Sequence, residues 1–373
     1  MRTSRKNVLC GLVAWIMLAN ACVWAGPLEG AWIARVKEDS IQMMLVMFED
    51  EDKNSNGQWT TNIRLKLEQL VGLQMGPEHD FKLVRDAGTM AFHGKLSNRR
   101  GLGDFVFTPS EEFQAFLAAR GYEKLDDKKM LHLFLGDVSR PYITDLGTLG
   151  YADIPLDKLV ALAIHKVSID YIKDIRALGY EDISLSKLLS FRIHGITKEY
   201  AAAMRKIGAQ DVSPSELLSL KIHGVTPEFA QKIQSLGYAD IPVSKLREFK
   251  IHGVSAEFVQ GVRDLGYTNI APSKLIEFRI HGVSVDFIGG VKKQGYADVS
   301  ESRLVEMRIH GVSPKFIEEI HAAGLKDITL RELVNFRIHG VKGQYVKYAS
   351  EKLKAQGKEV TPGRIVNMKI HGK

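Results

Sequence analysis

The dipeptide Ile-His recurs with its histidine at His165, His194, His223, His252, His281, His310 and His339, each 29 residues after the last, and again at His371 after 32. A fixed period of this length is the signature of a repeat protein and constrains the fold more than any single motif. The register extends further. Ser110, Ser139, Ser168, Thr197, Thr226, Ser255, Ser284 and Ser313 are spaced by 29, as are Gly121, Gly150, Gly179, Gly208, Gly237, Gly266, Gly295 and Gly324. Nine units fit between Ser110 and Lys373, the last carrying three extra residues.

The chemistry of one unit can be read from Val225 to Gly253. Thr226 is an N-cap, Pro227 suits the first helical position, and Glu228 favours the positive helix end. Phe229, Ala230, Ile233 and Leu236 then form one apolar stripe, and Gly237 supplies a left-handed stop. A second helix carries Leu246, Phe249 and Ile251 inward and ends at His252-Gly253. Helices of about ten residues are marginal alone, because nucleation is costly. Each hairpin is therefore expected to hide its stripe against its neighbours, giving an α-solenoid of about nine 29-residue hairpins over residues 110–373. Unit one, where Leu135-Gly136 replaces Ile-His, is expected to weld the array to what precedes it. The last unit, with Lys352, Lys354 and Lys358, is expected to be a polar cap.

Eight histidines in one slot invite a metal or proton-sensing reading. Zinc binds imidazole nitrogen at about 2.1 Å, whereas neighbouring helices lie about 8–10 Å apart, so equivalent histidines do not share an ion. His165, His194, His223, His252, His281, His310, His339 and His371 are read instead as structural groups at helix C-termini, with no metal and no cofactor. Beside them stand Arg192, Lys221, Lys250, Arg279, Arg308, Arg337 and Lys369. A second basic slot holds Lys129, Lys158, Lys187, Lys245, Lys274, Arg303 and Arg364. Solvated helix surface explains both slots in the plainest way. In the functional alternative, Arg192, Lys221, Lys250, Arg279, Arg308 and Arg337 form a cationic ridge for a protein partner or an anionic envelope component.

Residues 30–108 have a different period. Thr61–Glu68 alternates, with Ile63, Leu65 and Leu67 on one face, and similar runs are Ala31–Val36, Ile41–Phe48, Phe81–Arg85, Met90–Leu96 and Asp104–Thr108. Five or six antiparallel strands predict a small β sandwich or partly open barrel over residues 26–109, making the chain an α+β multidomain protein. Asp52–Gly57 matches the opening of a calcium loop, but its twelfth position is Ile63, inside a strand, so a hairpin turn is expected. His79 and His93 belong to no ligand spacing.

The first 25 residues combine Arg2, Arg5 and Lys6 with an apolar stretch and small residues at Val23 and Ala25. They read as a cleaved signal peptide and place the protein in the periplasm or outside the cell. Lipidation at Cys22 and an uncleaved anchor are the alternatives. Cys10 and Cys22 are the only cysteines, which excludes thiol catalysis and disulfides from the rest. The formal charge is +7, and the leader holds three of the 51 basic residues and none of the 44 acids, so the remainder is only mildly basic. With no aromatic–basic interleaving outside the packed stripes, nucleic acid is not expected as a partner. No later stretch is apolar enough to span a membrane.

Lys221–Phe229 and Arg308–Phe316 share the phrase Lys/Arg-Ile-His-Gly-Val-Ser/Thr-Pro-Glu/Lys-Phe. It resembles the tandem repeats that follow the membrane domain of BlaR-like peptidase-family antirepressors in bacteria. The resemblance runs from Ser110 to Lys373 and implies a regulatory or sensory module outside the cytoplasm. Peptidase activity does not carry over, because HExxH and the multiple membrane spans are missing. The expected function is thus non-enzymatic: a helical-repeat surface that engages an envelope protein. The alternatives are a β domain that binds a small ligand and, third, a hydrolase with a spatially assembled site.

Overall fold

The computed structural model describes residues 28–48, 58–208 and 212–372. The segments read as a signal peptide, as an alternative lipid anchor at Cys22 and as a turn at Asp52–Gly57 lie outside these residues. The chain divides into two units, one ending at Ile169 and one beginning at Asp170.

In the first unit the alternating segments become strands β1 (Leu28–Lys37), β2 (Ser40–Phe48), β3 (Gln58–Lys66), β4 (Leu70–Val71), β5 (Gly76–Arg85), β6 (Gly88–Ser97) and β7 (Arg100–Pro109). They form one antiparallel sheet in the order β3-β2-β1-β7-β6-β5-β4. The expectation of a two-sheet sandwich is corrected, because β1 pairs with both β2 and β7 and joins all strands into a single layer. Lys66 and Leu70 lie on opposite edges yet are only four residues apart, a reach of roughly 14 Å, so the sheet curls into a half-barrel. Leu67 leaves the strand for a short 3-10 turn.

The inner face is filled. Trp32 meets Phe81 edge-on at 5.4 Å, Phe81 stacks on Phe92 at 4.9 Å, and Phe92 meets Phe105 at 6.3 Å. The Trp32 indole donates to the carbonyls of His93 and Asp104. Only glycine fits beside it: a Cβ on Gly101 would lie 2.7 Å from the indole, and one on Gly103 would strike the His93 carbonyl.

Four helices complete this unit, Glu111–Ala118, Asp127–Leu135, Arg140–Thr148 and Leu156–Ile164. The helix Asp127–Leu135 packs on β6 and β7, with Phe134 against Phe107 at 5.0 Å, and covers the face a second sheet would cover in a sandwich. The weld expected of unit one is made here, largely by Arg85. Its guanidinium donates to the carbonyls of Phe134 and Leu135, lies over the Phe134 ring and pairs with Asp137 at 3.3 Å. Burial disfavours the charge and Asp137 opposes that effect. The Arg140 amide donates to the Asp86 carboxylate at 2.7 Å. The compact unit therefore extends two hairpins beyond the boundary at residue 109 that composition suggests.

In the second unit the helices come in pairs, for example Pro227–Ser235 with Val243–Ile251 and Ala256–Asp264 with Pro272–Ile280. Thr226 accepts from the Phe229 amide, Pro227 opens the helix, and Gly237 stands at φ +96°. The second helix of each pair packs on the second helix of the next, and the first helices do likewise from Lys198–Lys206 onward. Leu246 and Phe249 are fully buried, as the periodicity predicts, but Ile251 is not: it is 52% exposed. The last helical residue has turned past the core-facing side, and Val254 beyond the Gly253 stop takes the inward place.

Replacing Arg85 with Met should lower the stability of the sheet unit by about 2 kcal/mol, the range for hydrogen bonds to a charged group. Urea unfolding followed by Trp fluorescence checks this, and an unchanged midpoint would show that the helix docks without it.

Candidate functional site

Each member of the first basic slot lies over an aromatic ring in its own hairpin. The distances to the ring centre are 4.9 Å for Arg192 on Tyr171, 4.4 Å for Lys221 on Tyr200, 4.3 Å for Lys250 on Phe229 and 5.1 Å for Arg279 on Phe258. They are 5.1 Å for Arg308 on Phe287, 4.9 Å for Arg337 on Phe316 and 4.7 Å for Lys369 on Tyr345. In the hairpins of Arg279, Arg308 and Arg337 the other side of the cation meets the end of the preceding second helix. Arg308 Nε donates to the His281 carbonyl and Arg337 Nε to the His310 carbonyl, both at 3.4 Å. A Cβ on Gly282 or Gly311 would lie 2.8 Å from these guanidinium groups, so these two glycines make room as well as supplying positive φ. A cation over a ring is worth about 0.5–1 kcal/mol at such sites, and a cation at a helix C-terminus adds to that.

The slot is thus a clamp between hairpins. Arg192, Lys221 and Lys250 are half-buried, while Arg279, Arg308 and Arg337 keep an exposed side. An acid at Arg308 would set a carboxylate against helix-end carbonyls, so charge reversal there tests folding as much as binding. The second basic slot is partly neutralised on its own helix, by Lys245–Glu248 at 2.7 Å, Lys274–Glu277 at 2.5 Å and the Arg303–Glu306 pair.

Two sets of tyrosines add further ties. Tyr171 and Tyr200 donate to the carbonyls of Ile196 and Val225, 25 residues on. In the loops between paired helices, Tyr180, Tyr238, Tyr267 and Tyr296 donate to Val212, Ile270, Val299 and Ile328, each 32 residues on and in the next hairpin. The sheet unit repeats both patterns with Tyr142 to Val167 and Tyr122 to Ile154. Burial pushes the Tyr142 and Tyr171 hydroxyls up to about 12.

His165, His194, His223, His252, His281, His310 and His339 all occupy the C-cap of a second helix. His223 Nδ1 reaches the Ser219 carbonyl at 2.8 Å. His371 differs in lying inside its helix, with Gly372 as the cap. Among the described residues no three metal-ligating side chains converge, and no described helix is long and apolar enough to cross a membrane.

What the sequence reading missed stands one residue earlier. Ile193, Ile222, Ile251, Ile280, Ile309, Ile338 and Ile370 are all 51–58% exposed, and Ile164 in the sheet unit matches them at 56%. Successive second helices touch, so neighbouring isoleucines of the second unit recur about every 8–10 Å. Three positions earlier on the same helix the residue changes from hairpin to hairpin, through Ser190, Ser219, Glu248, Glu277, Glu306 and Asn335. An exposed isoleucine kept in every such slot while a nearby position varies is the signal that could have found this surface. No protein-family model matches the sequence and no curated protein matches it, so the surface is argued from its own chemistry.

Two outcomes follow. Tyr267→Phe removes the donor to Val299 and should cost about 1 kcal/mol, read as a shift in the urea midpoint; no shift would remove the tyrosine ties from the account. A raised phenol pKa means that the folded state holds its proton longer than the unfolded chain does. That stability is complete below about pH 10 and is lost as pH rises through about 12. An unfolding midpoint that stays level over this window, with phenolate absorbance appearing at the ordinary pH, would contradict the burial.

Proposed function

We propose that this is an exported, non-catalytic binding protein whose hairpins stack as an α-solenoid and present the isoleucine row to a protein partner in the bacterial envelope. The observation that carries the reading is the exposed isoleucine in every Ile-His slot. Burying an isoleucine fully contributes roughly 1.5–3 kcal/mol, and at half exposure much of that is available to a partner. The neighbouring histidines are exposed too, apart from half-buried His339, and Arg279, Arg308 and Arg337 offer cations already positioned by their rings. Positioned cations lose less side-chain entropy on binding than free ones do. Such a strip suits a partner that offers apolar side chains bordered by carboxylates. Periplasmic or secreted location follows from the leader, and a regulatory or sensory role is what the resemblance to antirepressor repeats suggests.

The triple variant Ile251→Ser, Ile280→Ser and Ile309→Ser separates binding from folding, because these side chains are not in the core. Thermal unfolding should be nearly unchanged, while envelope proteins cross-linked to the wild-type chain should be lost from the variant. Equal cross-linking by both chains would refute the isoleucine surface, and a large fall in melting temperature would show that the row serves packing instead.

A further inference from the structure

The outer face of the half-barrel carries a second, independent feature, set by strand register. Arg100 on β7 lies directly opposite Arg35 on β1, Arg35 opposite Gln42 on β2, and Gln42 opposite Arg64 on β3. Three arginines thus share one row across four strands, two of them as immediate cross-strand neighbours. Like charges so placed are destabilising, with Cβ atoms about 4.5–5.5 Å apart. All three are exposed, and none forms an ion pair with an acid among the described residues.

The next row on the same face is apolar. Leu102, Ile33 and Met44 lie opposite one another on β7, β1 and β2, bracketed by Lys95 on β6 and Asn62 on β3. Leu102 is 68% exposed and Ile33 54%. Three strands at about 4.8 Å make an apolar track roughly 10 Å long, running across the strands beside the arginine row. Arg35, Arg100 and Gln42 of the first row line one open groove of about 940 Å³ together with the whole second row, while Arg64 lies beyond it. The inner face of the sheet, filled by Trp32, Phe81, Phe92 and Phe105, offers no such space.

We infer that this groove binds a single-chain anionic amphiphile, its phosphate or carboxylate head held between Arg35 and Arg100 and its alkyl chain laid across Leu102, Ile33 and Met44. Charge complementarity selects the head: two guanidinium groups in cross-strand contact form a pair of forks that an oxyanion bridges, relieving their repulsion. The track selects the tail, because a small inorganic anion would leave Leu102 and Ile33 as exposed as before. A neutral amphiphile would cover the track and leave the arginines opposed. The inference does not rest on the repeat surface and stands or falls separately.

Isothermal titration calorimetry on the purified protein tests it with three probes: dodecyl phosphate below its micelle concentration, inorganic phosphate, and dodecyl maltoside. Dodecyl phosphate should bind at least tenfold more tightly than either of the others. R35S and R100S should each weaken it about tenfold, and L102S severalfold, with no loss of thermal stability because the three side chains are exposed. L102S should leave any weak inorganic phosphate binding unchanged, which separates tail from head. Equal binding of inorganic phosphate would reduce the groove to an anion patch and overturn the inference. Equal binding of the maltoside, undiminished binding by R35S and R100S, or no binding of dodecyl phosphate would each do the same.

Discussion

In each later hairpin a basic side chain lies on the ring of its own first helix, and for Arg279, Arg308 and Arg337 the guanidinium also meets the end of the preceding second helix. Neither helix of a pair is long enough to be stable alone, since nucleation outweighs the few bonds that nine residues can make. The rings are packed by the core, the helix ends are fixed by glycine stops, and the cation bridges the two. The tyrosines of the loops add a neutral version of the same link, reaching the next hairpin 32 residues on. In the sheet unit, Ala163 stands in the basic slot, and Arg85 of β5 covers the end of helix Asp127–Leu135 instead. The sheet thus supplies to the first hairpin what a following hairpin supplies elsewhere.

This division of labour bears on function. The last residue of the second helices that end at Ile193, Ile222, Ile251, Ile280, Ile309 and Ile338 takes no part in these links, and there the chain places an isoleucine facing water. The same logic applies to the half-barrel. Its inner face is closed by aromatic rings and glycine-permitted contacts around Trp32, while Arg35, Arg64 and Arg100 are lined up on the outer face where packing does not require them. Stability and surface chemistry are assigned to different residues of the same elements.

Local features were legible in the sequence where the physics is local. Thr226 as a cap, Pro227 at the helix start, Gly237 as a stop and the burial of Leu246 and Phe249 all follow from spacing within ten residues, and the structure agrees. The strand segments were legible for the same reason. A period of 29 says which positions are equivalent, but not which of them touch, so the cation–ring pairs at 21 residues and the tyrosine ties at 25 and 32 were out of reach. Ile251 was misplaced because a nine-residue helix fixes its buried face well in the middle and poorly at its last residue. Sequence alone left a sandwich and a partly open barrel both standing, because alternation gives a strand its faces without naming its neighbours; the β1–β7 pairing, which spans most of the domain, makes one sheet curled as a half-barrel.

Among the later hairpins, order passes from one to the next through the cation they share. Amide hydrogen exchange on the Arg308→Met chain tests it directly, because methionine keeps the aliphatic bulk and removes only the charge. Faster exchange is expected in the preceding hairpin, at His281, Gly282 and Val283, as well as around Phe287. Acceleration confined to the neighbourhood of residue 308, with the preceding helix end as protected as before, would contradict it.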